Sequence, residues 1–195
     1  ITGAGQVTVA GTEGTRVLLA RTGIVINTGT DPAIPPLEGL ADTPYWTNRE
    51  VVQAERVPES LIVLGGGAIG AEFTQVFARF GTAVTLVEAL PRLVSFEEPE
   101  ASELIERIFT AEGITVYTNA PAERVSHNGT HFSVHLGMNT LTAERLLVST
   151  GRRTDLASLG VAAAGLDPTA KTIPTDGWMR AADGVWAIGD VTGKG

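Results

Sequence analysis

The chain has 195 residues, of which 43% are hydrophobic, and it carries a formal net charge of −8. This length and composition suit one or two domains with a substantial core. The acidic balance, with only two lysines, argues against a nucleic-acid surface, and no apolar run is long enough to span a membrane. No basic stretch leads into an apolar one near the N-terminus, so we expect no signal peptide and a cytoplasmic location. Cysteine is absent, which excludes disulfides, thiolate metal sites and cysteine catalysis within this chain.

The N-terminal third of the chain is predicted to form strands and connecting loops. Residues 6–10 and 16–20 alternate around the glycine-bounded turn at 11–14, which predicts a β-ribbon. Residues 23–29 form another apolar strand that ends on glycine. The proline-rich connector at 32–36 disfavours both a helix and a central strand.

A short helix is predicted before the main domain. Thr47 and Glu50 have the spacing of a capping box, so a helix is expected over residues 47–54. We place the boundary of a self-contained domain between Pro36 and Pro58, in this connecting region.

The strongest pattern in the chain starts at residue 61. Residues 61–64 are an apolar run that is long enough for a buried strand and too short for a helix. Residues 68–80 then follow a helical pattern that ends at Gly81, where a C-terminal cap belongs, and residues 83–87 form a second strand. The apolar residues at helix-face spacing, which we expect to face the core, are Ile69, Phe73, Val76, Phe77 and Phe80.

The turn between this strand and helix contains Gly65, Gly67 and Gly70 in the pattern G-x-G-x-x-G, and Glu88 follows the second strand, 21 residues after Gly67. The first glycine permits a tight turn, the second permits close approach of a pyrophosphate, and the third permits close packing of the helix on the strand. Free N–H groups at the helix start favour the phosphates. A carboxylate at the position of Glu88 accepts hydrogen bonds from an adenosine ribose and repels a 2′-phosphate, which favours NAD over NADP. The alternative is a glycine-rich turn in an α/β core that binds nothing.

The segment after Glu88 predicts a second helix and a third strand. Residues 89–96 read as a loop, and the acidic, proline-containing stretch 97–100 is typical of a helix start. The helix should end at Gly113 and be followed by a strand at 114–117, which gives a β-α-β-α-β order and a parallel sheet. The apolar stripe expected to face the core consists of Ala101, Leu104, Ile105, Ile108 and Phe109.

The pattern then changes to antiparallel strands. Residues 122–127 and 130–136 flank Asn128-Gly129, which predicts a hairpin with a two-residue turn. Residues 141–148 supply the closing strands.

Three histidines in this region are spaced like a metal cluster. In the predicted register Thr130 lies opposite His127, so His131 would point to the other face of the hairpin. His131 and His135 share a face but would be roughly 13 Å apart along the strand. We therefore expect no shared metal ion.

The chain resembles the flavin-dependent pyridine nucleotide–disulfide oxidoreductases, the family of dihydrolipoamide dehydrogenase, mercuric reductase and their quinone-reducing relatives. The resemblance rests on the glycine pattern with its acid and on segments 24–29, 147–152 and 185–190. It implies an α/β, Rossmann-like FAD/NAD(P)-binding fold, in which a parallel sheet carries an antiparallel three-stranded meander. It also implies that an NAD(P)H-binding domain at 46–172 is flanked by parts of an FAD domain at 1–45 and 173–195.

The resemblance also implies what an enzyme of this kind contains beyond these segments. The family's FAD-binding glycine pattern, its redox cysteine pair and its C-terminal dimerisation domain are not found in this sequence, which begins with isoleucine. We therefore expect a piece of a longer, homodimeric protein that passes hydride from NADH to FAD and on to a disulfide, a metal ion or a quinone. The piece alone is expected to bind NAD, to retain no FAD and to be inactive. The alternative is a stand-alone nucleotide-binding module without redox activity.

The same resemblance assigns expected roles to residues at the dinucleotide. Gly65, Gly67 and Gly70 match the pyrophosphate turn, and Ala68 and Ile69 complete it. In some relatives the position of Ala68 holds an aromatic gate over the nicotinamide pocket.

Further expected roles concern the two ends of the dinucleotide and the flavin. Glu88 matches the ribose-binding acid, which implies a preference for NADH over NADPH, and Arg92 is a cation nearby in the sequence. Glu72 matches a glutamate at the nicotinamide and flavin, and equally suits an acid that stabilises a helix N-terminus. Gly151 matches a glycine that leaves room for the nicotinamide end, and can also be a simple strand-end turn. Asp190 matches the acid that binds the FAD ribitol.

Overall fold

A computed structural model describes residues 1–194 of the chain, which divide into two compact units. The smaller unit contains residues 1–31 and 152–194, and the larger one contains Pro32–Gly151. The predicted division after residues 45 and 172 concerns the cofactor domains and stays a prediction. Among the described residues, no helix is long and apolar enough to cross a membrane.

The regular elements follow the predicted order. The strands are β1 (Gln6–Gly11), β2 (Gly14–Leu19), β3 (Ile24–Ile26), β4 (Asp31–Pro32), β5 (Ser60–Leu64), β6 (Ala83–Val87), β7 (Thr115–Tyr117), β8 (Arg124–His127), β9 (Phe132–Leu136), β10 (Asn139–Ala143), β11 (Arg145–Val148), β12 (Arg152–Arg153), β13 (Arg180–Ala182) and β14 (Val185–Ala187). The α-helices are α1 (Asn48–Val51), α2 (Ala68–Arg79) and α3 (Pro99–Ala111), and 3₁₀ turns cover Leu40–Asp42, Val161–Ala164 and Gly189–Thr192.

The larger unit is built on a parallel sheet in the order β11-β5-β6-β7, with the antiparallel meander β10-β9-β8 beside it. Both features confirm the sequence prediction. Alternate residues of β5 face opposite sides of the sheet. Leu61 and Val63 pack in the cluster that contains the helices, whereas Ile62 and Leu64 pack against the meander. The sheet is therefore a central layer with helices on one face and the meander on the other.

The contact face of α2 differs from the predicted apolar stripe. Phe80 is 66% exposed and Val76 is also exposed, although both belong to the stripe. Phe77 is buried as predicted, and the other buried residues of α2 are Gly70, Ala71 and Thr74. Small residues at this face bring the helix axis close to the sheet, so the larger side chains on its flank remain outside the contact.

Helix α3 shows the same deviation. Leu104 is 50% exposed and Ile108 is exposed, whereas the buried residues are Ser102 and Phe109. The buried Ser102 hydroxyl is satisfied, since it donates a hydrogen bond to the Leu93 carbonyl at 2.6 Å. The predicted helix is thus present, and its core face combines two residues of the predicted stripe, Ile105 and Phe109, with a polar contact at Ser102 that hydrophobic periodicity does not reveal.

The predicted capping box is present at the start of α1. The Thr47 amide and hydroxyl both donate to the Glu50 carboxylate, at 2.7 and 2.6 Å, and the Arg49 amide donates to the Thr47 hydroxyl at 3.2 Å. The hydrogen bond from the Thr47 side chain lowers the pKa of Glu50 below its usual value. The helix is shorter than the predicted span, ending at Val51.

The predicted two-residue hairpin turn is wrong. His127 pairs with Phe132, so the turn contains residues 128–131. The Asn128 side-chain oxygen accepts hydrogen bonds from the amides of Thr130 and His131, at 3.0 and 2.9 Å, which stabilises the longer turn. His131 therefore lies in the turn and not on a strand face.

The smaller unit contains the sheet β13-β14-β3 and the β1–β2 ribbon. The ribbon is present as predicted, but its register pairs Gly11 with Gly14, so the turn is shorter than the predicted 11–14 and contains only Thr12 and Glu13. Strands β14 and β3 run parallel, and their buried side chains form a core with a long loop of residues 156–173.

Candidate functional site

A cavity of about 390 Å³ opens at the carboxyl ends of three parallel strands of the larger unit. Strands β5, β6 and β11 end at Leu64, Val87 and Val148, and the residues that follow them supply much of the wall. This edge is where open parallel sheets bind ligands. The wall consists of Pro35, Leu37, Leu64, Gly65, Gly67, Val87, Glu88, Ala89, Leu90, Ser95, Phe96, Ala120, Pro121, Ala122, Ser149, Thr150 and Gly151.

Two glycines of the motif are required by backbone packing. Gly65 has a φ of +101°, and a Cβ there would lie 2.5 Å from the Ser149 carbonyl oxygen. A Cβ on Gly70 would overlap the Gly65 carbonyl oxygen. Side chains at either position would therefore push α2 or β11 away from β5.

Gly67 differs from its neighbours because its missing side chain faces open space. Beyond the immediately adjoining backbone, no atom of the described chain lies within 4 Å of a Cβ built there. Gly67 is the N-cap of α2, and no side chain caps this helix among the described residues. The amides of the first turn are thus available to an anion that approaches over Gly67.

The Glu88 carboxylate is fixed against the same turn. One oxygen accepts a hydrogen bond from the Gly66 amide at 2.6 Å, and the other accepts from the Leu90 amide at 2.8 Å. Its backbone amide donates to the Tyr117 carbonyl at 2.7 Å, which fixes the end of β6 beside β7. Each carboxylate oxygen keeps a further lone pair for a ligand hydroxyl.

Gly66 is a site residue that the sequence pattern did not identify, because it occupies a variable position of the motif. A Cβ there would lie 2.5 Å from a methyl group of Leu93 and 3.2 Å from a carboxylate oxygen of Glu88. Its carbonyl accepts a hydrogen bond from the Val94 amide at 2.8 Å. Gly66 therefore holds both the acid and the following loop against the turn. The only signal in the sequence is the run of three successive glycines.

Arg92 is tied into the loop that precedes α3. Its guanidinium donates to the Ser95 carbonyl at 2.6 Å, the Glu97 carbonyl at 2.7 Å and the Ser102 hydroxyl at 2.8 Å. The side chain does not contribute to the cavity wall. The Arg92 guanidinium therefore holds this loop and α3 together by hydrogen bonds.

The third wall of the cavity comes from residues 149–151. Gly151 has a φ of +148°, and its carbonyl accepts a hydrogen bond from the Ala33 amide at 2.9 Å. The Ser149 hydroxyl lies 3.0 Å from both the Leu64 and the Gly65 carbonyl oxygens. Ser149 therefore joins the end of β11 to the glycine turn, a role that sequence reasoning did not anticipate.

The structure brings Gly65, Gly67, Glu88 and Gly151 together around one cavity, with Gly70 behind its wall. The three helix residues singled out at the start of α2 lie outside the wall: Ala68, Ile69 and Glu72. The Ala68 and Glu72 side chains are exposed.

Asp190 lies in the smaller unit, at a separate cavity of about 220 Å³. Its carboxylate forms an ion pair with Arg152, whose Nε also donates to the Thr30 hydroxyl at 2.7 Å. The acid is thus held by a partner from its own unit.

A family model described as pyridine nucleotide-disulphide oxidoreductase matches residues 1–195. The chain belongs to this family. Mercuric reductase from Shewanella putrefaciens is 34% identical over 180 residues, covering 91% of this chain and 32% of that protein. Dihydrolipoyl dehydrogenase from Chlorobaculum tepidum is 37% identical over 199 residues, covering 99% of this chain and 42% of that protein.

Solved structures of the family have the same fold. The HOCl-induced flavoprotein disulfide reductase RclA from Escherichia coli superposes with a TM-score of 0.90 at 31% identity, covering 100% of this chain and 44% of that one. LpdA from Mycobacterium tuberculosis gives a TM-score of 0.85 at 25% identity, with the same coverage. These matches confirm the predicted FAD/NAD(P)-binding fold. The chain spans less than half of the length of these relatives.

Membership of the pyridine nucleotide-disulphide oxidoreductases identifies the class of chemistry. Members of the family are oxidoreductases, and they are flavoproteins that use pyridine nucleotides. The chain is thus a portion of a pyridine nucleotide-disulphide oxidoreductase. The individual roles of the cavity residues stay predictions.

Proposed function

We propose that this chain is the NADH-binding portion of a flavin-dependent oxidoreductase. The observation that carries the proposal is the Glu88 carboxylate, held by the Gly66 and Leu90 amides on the wall of the same cavity that Gly67 lines. An anion-binding turn and a fixed acceptor for ribose hydroxyls are the two elements that an adenine dinucleotide requires.

The cavity residues suit a dinucleotide in three places. The pyrophosphate lies over Gly67, where the missing Cβ leaves open space and the first-turn amides of α2 donate. The adenosine ribose meets Glu88, and the nicotinamide end is directed toward Gly151. Glu72, exposed on α2, is the proposed contact to the nicotinamide and flavin in the complete protein.

The preference for NADH follows from charge. A 2′-phosphate beside the Glu88 carboxylate is repelled, and the cation that precedes α3, Arg92, already donates to two carbonyls and a hydroxyl. A phosphate that recruited Arg92 would have to break these hydrogen bonds. The proposed order of affinity is therefore NADH above NADPH.

The complete protein is proposed to be a homodimer that carries FAD and acts in the cytoplasm. FAD, when bound, supplies the group that accepts hydride from NADH and passes electrons on to a disulfide, a metal ion or a quinone. Asp190 is the residue of this chain that would meet the FAD ribitol, in exchange for its ion pair with Arg152. The sequence contains a single G-x-G-x-x-G turn with its strand and acid, so we propose that the 195-residue chain alone binds NADH, retains no flavin and is inactive.

Calorimetric titration of the 195-residue chain with NADH and NADPH tests this proposal. We expect tighter binding of NADH, and we expect Glu88→Arg to weaken or reverse the preference because it removes the ribose acceptor and places a cation beside the 2′ position. Glu106→Arg is the matched control, since it makes the same charge change on the exposed side of α3. Equal affinities for the two nucleotides would contradict the assignment of Glu88 as the selector. Flavin absorbance in the purified chain would contradict the assignment of a single dinucleotide site.

A further inference from the structure

Phe96 is an aromatic residue in an unusual position. The residue is 101% exposed, yet it lines the cavity. Single exposed apolar residues are common on protein surfaces. Phe96 differs from them because it lies at the edge of a binding cavity on a backbone that is held in place.

The backbone on both sides of Phe96 is fixed by one side chain. Arg92 donates to the carbonyl of Ser95 at 2.6 Å and to the carbonyl of Glu97 at 2.7 Å. Arg92 also donates to the buried Ser102 hydroxyl on α3. Hydrogen bonds to charged donors are stronger than neutral ones, so this loop presents the phenyl ring on an ordered support.

A second anchor connects the same loop to the glycine turn. The Val94 amide donates to the Gly66 carbonyl at 2.8 Å, and Val94 has a φ of +40°, a region that side-chain-bearing residues rarely adopt. The fully buried Leu93 packs in the core beside it. The loop is therefore tied to the core, to α3 and to the turn, while Phe96 remains fully exposed.

The surroundings of Phe96 suit a flat, apolar ring system. The same cavity is lined by the half-exposed Leu90 together with Pro121 and Ala122. Leu90 is adjacent to the acid in space, because its amide donates to the Glu88 carboxylate. A ribose held by Glu88 through its 2′-hydroxyl carries its base on the next ring carbon, which keeps the base close to Glu88 and its neighbour Leu90.

We propose that Phe96 is a base-stacking residue that determines affinity for the adenosine half of the dinucleotide, with Arg92 as its positioning residue. This inference rests on the proposed NADH-binding function. Stacking on an aromatic face is tolerant of base identity because every base has a π-face. The wall should therefore accept a hypoxanthine base nearly as well as adenine, while the ribose contact at Glu88 remains selective.

Three ligands and two variants test this inference in the 195-residue chain. The ligands are ADP-ribose, which contains the adenosine half, nicotinamide mononucleotide, which lacks it, and NADH. The variants are Phe96→Ala and Phe96→Tyr. Met138→Ala is the matched control, since Met138 is an apolar residue that is 103% exposed in the turn between β9 and β10, away from the cavity. Urea unfolding of each variant should give the parent stability, because exposed side chains contribute little to it.

We expect Phe96→Ala to weaken ADP-ribose and NADH binding roughly tenfold, within the range known for base–aromatic stacking. Binding of nicotinamide mononucleotide should not change, Phe96→Tyr should retain the parent affinities, and Met138→Ala should have no effect. Parent-like binding of ADP-ribose by Phe96→Ala would overturn this inference alone. Failure of the parent chain to bind either NADH or ADP-ribose would overturn the proposed function, and this inference with it.

Discussion

Replacement of Gly67 by alanine is expected to weaken NADH binding while leaving the stability of the fold nearly unchanged. Beyond the immediately adjoining backbone, a Cβ at this position meets no atom of the described chain within 4 Å, and the backbone φ of −72° is accessible to any residue. The added methyl group therefore causes no clash in the free protein. It projects into the space over the α2 N-terminus that we assign to the pyrophosphate.

The expected change in stability is small because two effects oppose each other. A change from glycine to alanine stabilises a protein by about 0.4–1 kcal/mol through the unfolded chain. Alanine is a poorer N-cap than glycine, by roughly the same amount. The free energy of unfolding should therefore stay within about 0.5 kcal/mol of the parent value.

The expected change in binding is large. The methyl group displaces the pyrophosphate from the first-turn amides, and the loss of one charge-assisted hydrogen bond of about 1.5–3 kcal/mol weakens binding by at least tenfold. Urea unfolding gives the stability, and calorimetry with NADH gives the affinity. A Gly67→Ala variant that binds NADH as tightly as the parent would refute the placement of the pyrophosphate over this residue.

Three further variants test the structure around the site. Gly70→Ala should lower the free energy of unfolding by about 3 kcal/mol or more, because its Cβ overlaps the Gly65 carbonyl oxygen. This oxygen belongs to the backbone, which cannot move aside as easily as a side chain. A urea midpoint equal to that of the parent would contradict this packing. Thr47→Ala should cost about 1 kcal/mol of stability at neutral pH. Since the fold lowers the pKa of Glu50, this difference should be present above the ordinary glutamate pKa and diminish as the pH falls through the lowered one, which urea unfolding across a pH series measures. Arg92→Ala should accelerate hydrogen exchange in the loop before α3 and weaken ADP-ribose binding, and unchanged exchange would show that other contacts hold the loop.

The order and type of the main elements could be predicted from the sequence because each is specified locally. Residues 61–64 and 83–87 are short apolar runs bounded by glycine or charge, and both are parallel strands. The capping box at Thr47 and Glu50 is likewise formed by residues three positions apart. Elements of this kind can be predicted without knowing which residues they contact elsewhere in the chain.

The predictions that were wrong depend on partners that the local pattern does not contain. Periodicity predicted Phe80 as a core residue, but Phe80 is exposed and the small residues Gly70, Ala71 and Thr74 are buried on the face of α2 instead. Asn128-Gly129 suits a two-residue turn, yet the Asn128 side chain caps two amides of a longer loop and shifts the register. In both cases a tertiary or side-chain contact overrides a propensity.

The residues of the candidate site could be predicted only in part from the sequence, for the same reason. The motif marks Gly65, Gly67 and Glu88, because a spacing of glycines and an acid is visible in one dimension. The roles of Gly66 and Ser149 come from atoms that meet only in the folded chain: an amide against the Glu88 carboxylate, and a hydroxyl between two carbonyl oxygens of the turn.

These contacts bear on how the cavity could distinguish NADH from NADPH. A selector must present its charge in a fixed place, since a mobile acid can swing away from a 2′-phosphate. The Glu88 carboxylate is fixed by two backbone amides, and the Arg92 guanidinium is withheld by its own three acceptors. Reversal of the preference would therefore require a new cation at the cavity wall as well as the loss of the acid.

On this reasoning Glu88→Ala should reduce the discrimination between NADH and NADPH, whereas Glu88→Arg can invert it. Calorimetric affinities of both variants for the two nucleotides would distinguish repulsion of the 2′-phosphate by the acid from its attraction by a cation.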